Sequence, residues 1–358
     1  MVRKFGRLLA RLSAHLAMVI STAFFAAASI PAGAAEPIQL EFGNWLPSTH
    51  PQSVNSFEPW KKLVEEKTKG RIKVNLYHGG TLGTSRAVLN DVKGGVYHLG
   101  LMVSAYYFDT PIFKVTIGEL PFALPGPVVG SKILAEWTQK HANDIWDKIG
   151  VKSLGVFCTD AYNLFSTKPI RRFEDMKGVK LRAAGKAWVQ VAKDWGAVPT
   201  PMQPEEAYTA LERGTLTAMH YSPAGALGWK YFEPAPYLIR IDSPVVVGGL
   251  LLNKAFYDKL PPDLKKMFDE ELGPALSNMM IQIYDKVGRD AIDHIANAVK
   301  GKGEIITFSA EERARFIKVT QPEWDNWVKE ANKRGFQGDV MMADFKAIMR
   351  KHGVTPPF

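Results

Sequence analysis

Apolar and polar positions alternate along Ile38-Gln39-Leu40-Glu41-Phe42, the period of a half-buried strand, and the run leads into Gly43-Asn44-Trp45 and a turn at residues 47–51. Val54, Phe57, Trp60, Leu63 and Val64 then recur at helical spacing, which predicts a helix over residues 53–69 that Gly70 stops. Ile72, Val74 and Leu76 form the next strand. A turn at residues 78–80, a helix over 85–93 and an apolar strand over 99–103 follow, and this β-α-β-α-β order predicts a mostly parallel sheet flanked by helices. The pattern then restarts. An apolar strand over 151–157 is followed by strands over 179–183, 198–202 and 216–221. Helices over 188–195 and 204–213 separate them, the second with Pro204 in its first turn. A buried strand over 245–252 precedes a helical stretch over 262–300, with a break expected at Gly273-Pro274. So long a helix exceeds the diameter of a small domain and is expected to run across two lobes. The tail offers a strand over 304–308 and helices near 310–333 and 339–351.

The first residues follow another logic. Arg3, Lys4, Arg7 and Arg11 precede an apolar run over residues 16–28, and no acidic residue occurs before Glu36. The run is shorter than the ~20 residues needed to span a bilayer. It ends at Ile30-Pro31-Ala32-Gly33-Ala34-Ala35, a small-residue cleavage site, so residues 1–35 are expected to be a signal peptide cut after Ala34 or Ala35. The mature chain is then expected in the periplasm.

Loss of that segment takes away four of the 45 basic residues and none of the 36 acidic ones, lowering the net charge from +9 to +5. No dense Lys/Arg tract points to nucleic acid. The one cysteine, Cys158, cannot form an internal disulfide, so stability must come from the core. The chain carries no phosphate-loop, dinucleotide, HExxH, CxxC or GxSxG pattern, and its eight histidines lack paired spacing. No cofactor and no metal is expected.

Three runs are more specific. They are Met176-Lys177-Gly178-Val179-Lys180-Leu181-Arg182, Trp195-Gly196-Ala197-Val198-Pro199-Thr200-Pro201-Met202 and Glu206-Ala207-Tyr208-Thr209-Ala210-Leu211-Glu212-Arg213-Gly214. With His50-Pro51, the strand Gly70-Arg71-Ile72-Lys73-Val74, Leu82-Gly83 and Glu119-Leu120-Pro121-Phe122, the chain resembles the solute-binding receptors of TRAP transporters, the dicarboxylate-receptor family. The resemblance covers essentially the whole mature chain. It implies an α/β, two-lobed periplasmic binding protein fold with discontinuous lobes and a long helix spanning both. Lobe I is expected over residues 36–164 plus 248–290, and lobe II over 165–247 plus 291–358.

Within this frame Arg182 ends a strand at the start of a loop, where α/β sheets place ligand contacts. Its planar fork matches a carboxylate, and the resemblance assigns it to that pairing. Lys168 falls where some members carry a second arginine; it supplies charge without the fork, and a solvated lobe surface is the alternative. Many relatives read Gly-x-x-Asp and then Gly-Gln-Glu-Asn-Pro after this helix. Here the run is Gly214-Thr215-Leu216-Thr217-Ala218-Met219-His220-Tyr221-Ser222-Pro223, so His220 and Tyr221 take the glutamate and asparagine places. Trp45, Tyr106, Tyr162, Trp188 and Tyr221 crowd the expected cleft, which suits a flat or apolar body behind the carboxylate. Asn44, Arg86, Ser104 and Asn163 are the candidate polar contacts from matching loops.

The expected function is a receptor that captures a small organic anion and delivers it to TRAP-type integral membrane permease subunits, with a monomer favoured and no catalysis. A sensory receptor for the same ligands is the alternative. An enzyme acting on a carboxylate would need a general base, and His220 is the one that can be named.

Overall fold

Strand β1 (Ile38–Gly43) buries Leu40 and Phe42 and leaves Gln39 outward, as its alternation requires. It sits inside a five-stranded sheet with β2 (Ile72–Tyr77), β3 (Leu99–Val103), β4 (Val151–Cys158) and, much later in the chain, β10 (Val247–Asn253); the order is β2-β1-β3-β10-β4. A second sheet holds β5 (Tyr162–Ser166), β6 (Lys180–Ala183), β7 (Val198–Pro201), β8 (Ala218–Tyr221), β9 (Tyr237–Ser243) and β11 (Ile305–Thr307), in the order β11-β9-β5-β8-β6-β7. This is a computed structural model that describes residues 36–243 and 245–358. The expected signal peptide, residues 1–35, lies outside the described residues. Among the described residues no helix is long and apolar enough to cross a membrane.

Both sheets are mixed, where a mostly parallel arrangement was the expectation. β1 pairs in parallel with β2 and β3, and β6 with β7 and β8, but β10 is antiparallel to β3 and β4, and β5 to β8 and β9. The reason is connectivity. β5 and β10 each arrive from the other lobe through a link of three residues, so neither needs the long crossover that parallel neighbours demand. The two links are tied to each other: the Thr159 amide donates to the Val246 carbonyl at 3.0 Å, and the Val246 amide to Thr159 Oγ1 at 2.9 Å.

The long helix is Gly273–Ala298. At 1.5 Å per residue its 26 residues span about 39 Å. Leu276, Met280 and Tyr284 enter the core of the first lobe, while Ala291 and Ile295 enter that of the second. The 262–300 stretch is interrupted just ahead of Gly273-Pro274 by a π-helical turn, Phe268–Leu272, and Pro274 then occupies the first turn of the long helix, where no amide hydrogen is required.

The lobe boundaries differ from expectation in two places. The first crossing falls at residues 159–161, ahead of 164, because Tyr162–Ser166 is already a strand of the second sheet. The tail also returns to the first lobe. Helices Gln321–Lys333 and Gly338–Lys351 bury Trp324, Trp327, Phe345 and Met349 in the first core, and Asp344 pairs with Lys140 at 2.7 Å and His141 at 2.9 Å on helix Pro127–His141. Periodicity identified these helices, but an apolar stripe does not name its partner.

Candidate functional site

Arg182 lies on β6 in register with Thr200 of β7 and Met219 of β8, and only 3% of it is exposed. Its Nε donates to the Met202 carbonyl at 3.2 Å and its Nη2 to the Tyr106 hydroxyl at 3.1 Å. The guanidinium carbon stands 5.8 Å from the centroid of the Tyr221 ring. Among the described residues Arg182 forms no ion pair. A buried cation held by two neutral acceptors and a ring face is costly without an anion, and two of its five donors are used within the protein.

Tyr106 follows β3 in the first lobe, so its bond to Arg182 joins the two lobes. The guanidinium of Arg86, exposed at its edge, covers the same ring at 5.3 Å. Around this bridge the aromatic side chains form a continuous array. Tyr221 meets Tyr162 at 5.4 Å and Tyr231 at 5.2 Å; Trp229 stacks on Tyr231 at 6.2 Å and on Trp45 at 6.3 Å. His220 packs against Trp188 at 4.4 Å and Tyr162 at 5.1 Å, with its Nε2 bonded to Ser243 Oγ. Burial, reinforced by the charge of Arg182, lowers the His220 pKa to about 3, so the ring is neutral.

Arg182, Tyr106, Arg86, Tyr221, Tyr162, His220, Trp188 and Trp45 are thus brought together. Of the other four candidates, Lys168 lies apart, and the side chains of Asn163, Asn44 and Ser104 are engaged within the scaffold. Lys168 lies two residues past the end of β5 where Ser166 pairs with Ala218, while Tyr221 faces Asn163 at the opposite end; Lys168 is exposed there. Asn163 Oδ1 accepts from the amides of Ile241 and Asp242, both at 2.9 Å. Asn44 bonds Leu46, Ser53 and His78, fixing the turn after β1. Ser104 donates to Glu119 at 2.6 Å. These three side chains satisfy buried polar groups of the scaffold.

Residues that the pattern does not single out complete the site. A cavity of about 350 Å³ lies beside Gly185, between Ala105, Phe108 and Leu120 of the first lobe and Trp188 of the second; Trp188 is its link to the site, and Arg182, Tyr106 and Tyr221 do not line it. Ser85 reaches Gln203 and Glu205 across the cleft. Trp229 and Tyr231 extend the aromatic array. Their only sequence signal is an aromatic pair two residues apart after a helix start at Ser222-Pro223.

The chain matches the bacterial extracellular solute-binding proteins of family 7 over residues 42–331. It is 27% identical over 238 residues to the 2,3-diketo-L-gulonate-binding periplasmic protein of Escherichia coli, covering 63% of this chain and 69% of that one. Two solved structures share its fold. One is a marine metagenome TRAP solute-binding protein specific for aromatic acid ligands, in complex with 3-hydroxybenzoate (TM-score 0.81, 23% identity, 89% of this chain and 99% of that one). The other is a TRAP solute-binding protein from Rhodoferax ferrireducens with copurified benzoate (TM-score 0.79, 23% identity, 88% and 98%).

Proposed function

The chain belongs to family 7 of the bacterial extracellular solute-binding proteins, and from that premise we propose that it captures a small organic acid anion in the periplasm and delivers it to a TRAP-type membrane permease. The observation that carries this reading is Arg182, a buried guanidinium that pairs with no carboxylate among the described residues, at the junction of two lobes. A carboxylate supplies the missing charge, and closure removes water, which strengthens the pair.

An acid with one carboxylate and a flat apolar body fits best. Lys168 stands at the far end of the sheet, His220 is neutral, and rings of Tyr106, Tyr162, Trp188 and Tyr221 surround the guanidinium or its neighbours. Proteins of the same fold hold benzoate and 3-hydroxybenzoate. Turnover is disfavoured on chemical grounds, since a base with a pKa of about 3 is a poor proton acceptor at neutral pH.

The test is a thermal-shift panel of aromatic, aliphatic, keto, sugar and dicarboxylic acids. At one common concentration an aromatic monocarboxylate is expected to raise the melting temperature most; any acid present at 100 times its dissociation constant stabilises the fold by about 2.7 kcal/mol. A panel in which no carboxylate raises the melting temperature overturns the reading.

A further inference from the structure

Glu205 sits in the first turn of helix Pro204–Glu212 in the second lobe, where a carboxylate is favoured by the helix dipole. Both of its oxygens are spent on one residue of the first lobe. Oε1 accepts from the backbone amide of Ser85 at 3.0 Å and Oε2 from Ser85 Oγ at 3.1 Å, while Gln203 Oε1 lies 3.3 Å from the same hydroxyl. Ser85 is fully buried, and a buried backbone amide requires a partner. Here that partner comes from a residue 120 positions away in the other lobe. Separation of the lobes breaks all three bonds and returns these groups to water.

Ser85 is followed directly by Arg86, whose guanidinium covers the Tyr106 ring, and Tyr106 in turn accepts from Arg182. The loop is stiffened from behind, because the Tyr107 hydroxyl donates to the Arg86 carbonyl at 3.0 Å and accepts from the Leu89 amide at 3.1 Å. One short segment therefore reports on Arg182 through one residue and grips Glu205 through its neighbour.

We propose that the Ser85–Glu205 contact is a closure latch that sets how long a bound acid is retained, with Glu205 acting as a positioning residue that touches no ligand; this rests on the receptor reading above. Hydrogen bonds to a charged acceptor are the stronger kind, and a contact made only after the lobes meet acts on dissociation rather than encounter.

The experiment is stopped-flow binding of benzoate and 3-hydroxybenzoate to the parent, Glu205→Ala, Glu205→Gln and Ser85→Ala. Glu205→Ala is expected to speed dissociation about tenfold with association within twofold. Glu205→Gln, which can still accept from the amide and donate to Oγ, is expected to stay within about threefold of the parent. Ser85→Ala, which keeps the amide bond, should fall between them and serves if Glu205→Ala does not fold. Unchanged dissociation in Glu205→Ala, or a change confined to association, overturns the latch while leaving the receptor reading intact. If neither acid binds the parent, the aromatic-acid reading fails instead. The latch is then judged from spin-label distances between Lys62→Cys and Lys302→Cys without any acid, where Glu205→Ala must lower the closed fraction; an unchanged distribution, or a parent with no closed fraction, overturns it.

Discussion

A Cβ built on Gly185 would stand 2.4 Å from the carbonyl oxygen of Ala105, across the junction of the two lobes. Gly185 has φ 176, an extended conformation open to any residue, so the constraint is contact between lobes and not backbone strain. Gly185→Ala is therefore expected to leave each lobe folded yet hold the lobes apart. Calorimetry should show acid affinity reduced on the order of tenfold or more, and small-angle scattering should show no contraction on adding the acid. Undiminished affinity with normal contraction would mean that the contact does not govern closure.

Arg182 is the charge on which binding depends. Arg182→Ala should cost about 2–5 kcal/mol of acid affinity by calorimetry, the range for truncating one partner of a buried charge pair. Arg182→Lys should recover only part of it, because an ammonium lacks the planar fork. Equal affinity in Arg182→Ala and the parent would refute the carboxylate clamp.

Tyr221 supplies the ring beneath Arg182 and packs edge-on against Tyr231. Replacement by asparagine removes the flat surface and adds an amide. Tyr221→Asn is expected to weaken aromatic acids several-fold more than hydroxy or sugar acids in the same thermal-shift panel. An unchanged ranking would remove the aromatic wall from the account of selectivity.

Stability should fall on both sides of mildly acidic pH, for opposite reasons. Burial raises Asp160 from 3.8 to about 7 against hydrogen bonds from Ser222 and the Ala224 amide; it raises Glu119 from 4.5 to about 7 against bonds from Ser104 and the Val247 amide. A raised carboxylate favours the folded state below its unfolded value and loses that contribution as pH climbs through 7. Burial lowers His50 and His220 from 6.5 to about 3, so their contribution is present above 6.5 and is lost as pH falls toward 3. The windows overlap from about 4.5 to 6.5, where the opposing slopes offset each other, so melting temperatures between pH 3 and 8 should be nearly level across the overlap and fall on either side of it. Asp160→Asn and Glu119→Gln should each flatten the alkaline arm and leave the acidic arm in place.

Burial also raises the pKa of the Cys158 thiol, whose side chain lies against Ser131 and Gly130 in the first core. Maleimide should not label it in the native protein and should label it fully in denaturant. Rapid native labelling would contradict the packing of β4 beneath helix Pro127–His141.

The elements around Arg182 were legible because several local signals agree there: a short strand, a loop, Gly178 and Gly196 at turns, and a proline opening the next helix. Tyr162–Ser166 was harder to read. All five of its residues are buried, so it shows no alternation, and polar Asn163 and Ser166 break the apolar run. That same strand misplaces Lys168, since its direction away from the hinge depends on an antiparallel pairing no local pattern encodes. For Asn44, Ser104 and Asn163 the local sequence reads the same for a ligand contact and for a bond within the scaffold, because small polar residues near strand ends serve both. The Ser85–Glu205 contact joins residues whose proximity exists only once both lobes are built.

The chain changes lobes at residues 159–161 and between Ser243 and Val247, again along Gly273–Ala298, and once more before Gln321–Lys333. The first lobe therefore cannot finish its core until the last helix, Gly338–Lys351, has been made, because Trp137 and Trp324 both pack against Phe345 from that end. Both sheets hold all their strands by Thr307 and the second core draws on nothing beyond Val319, so the lobe that begins the chain is the one that closes last.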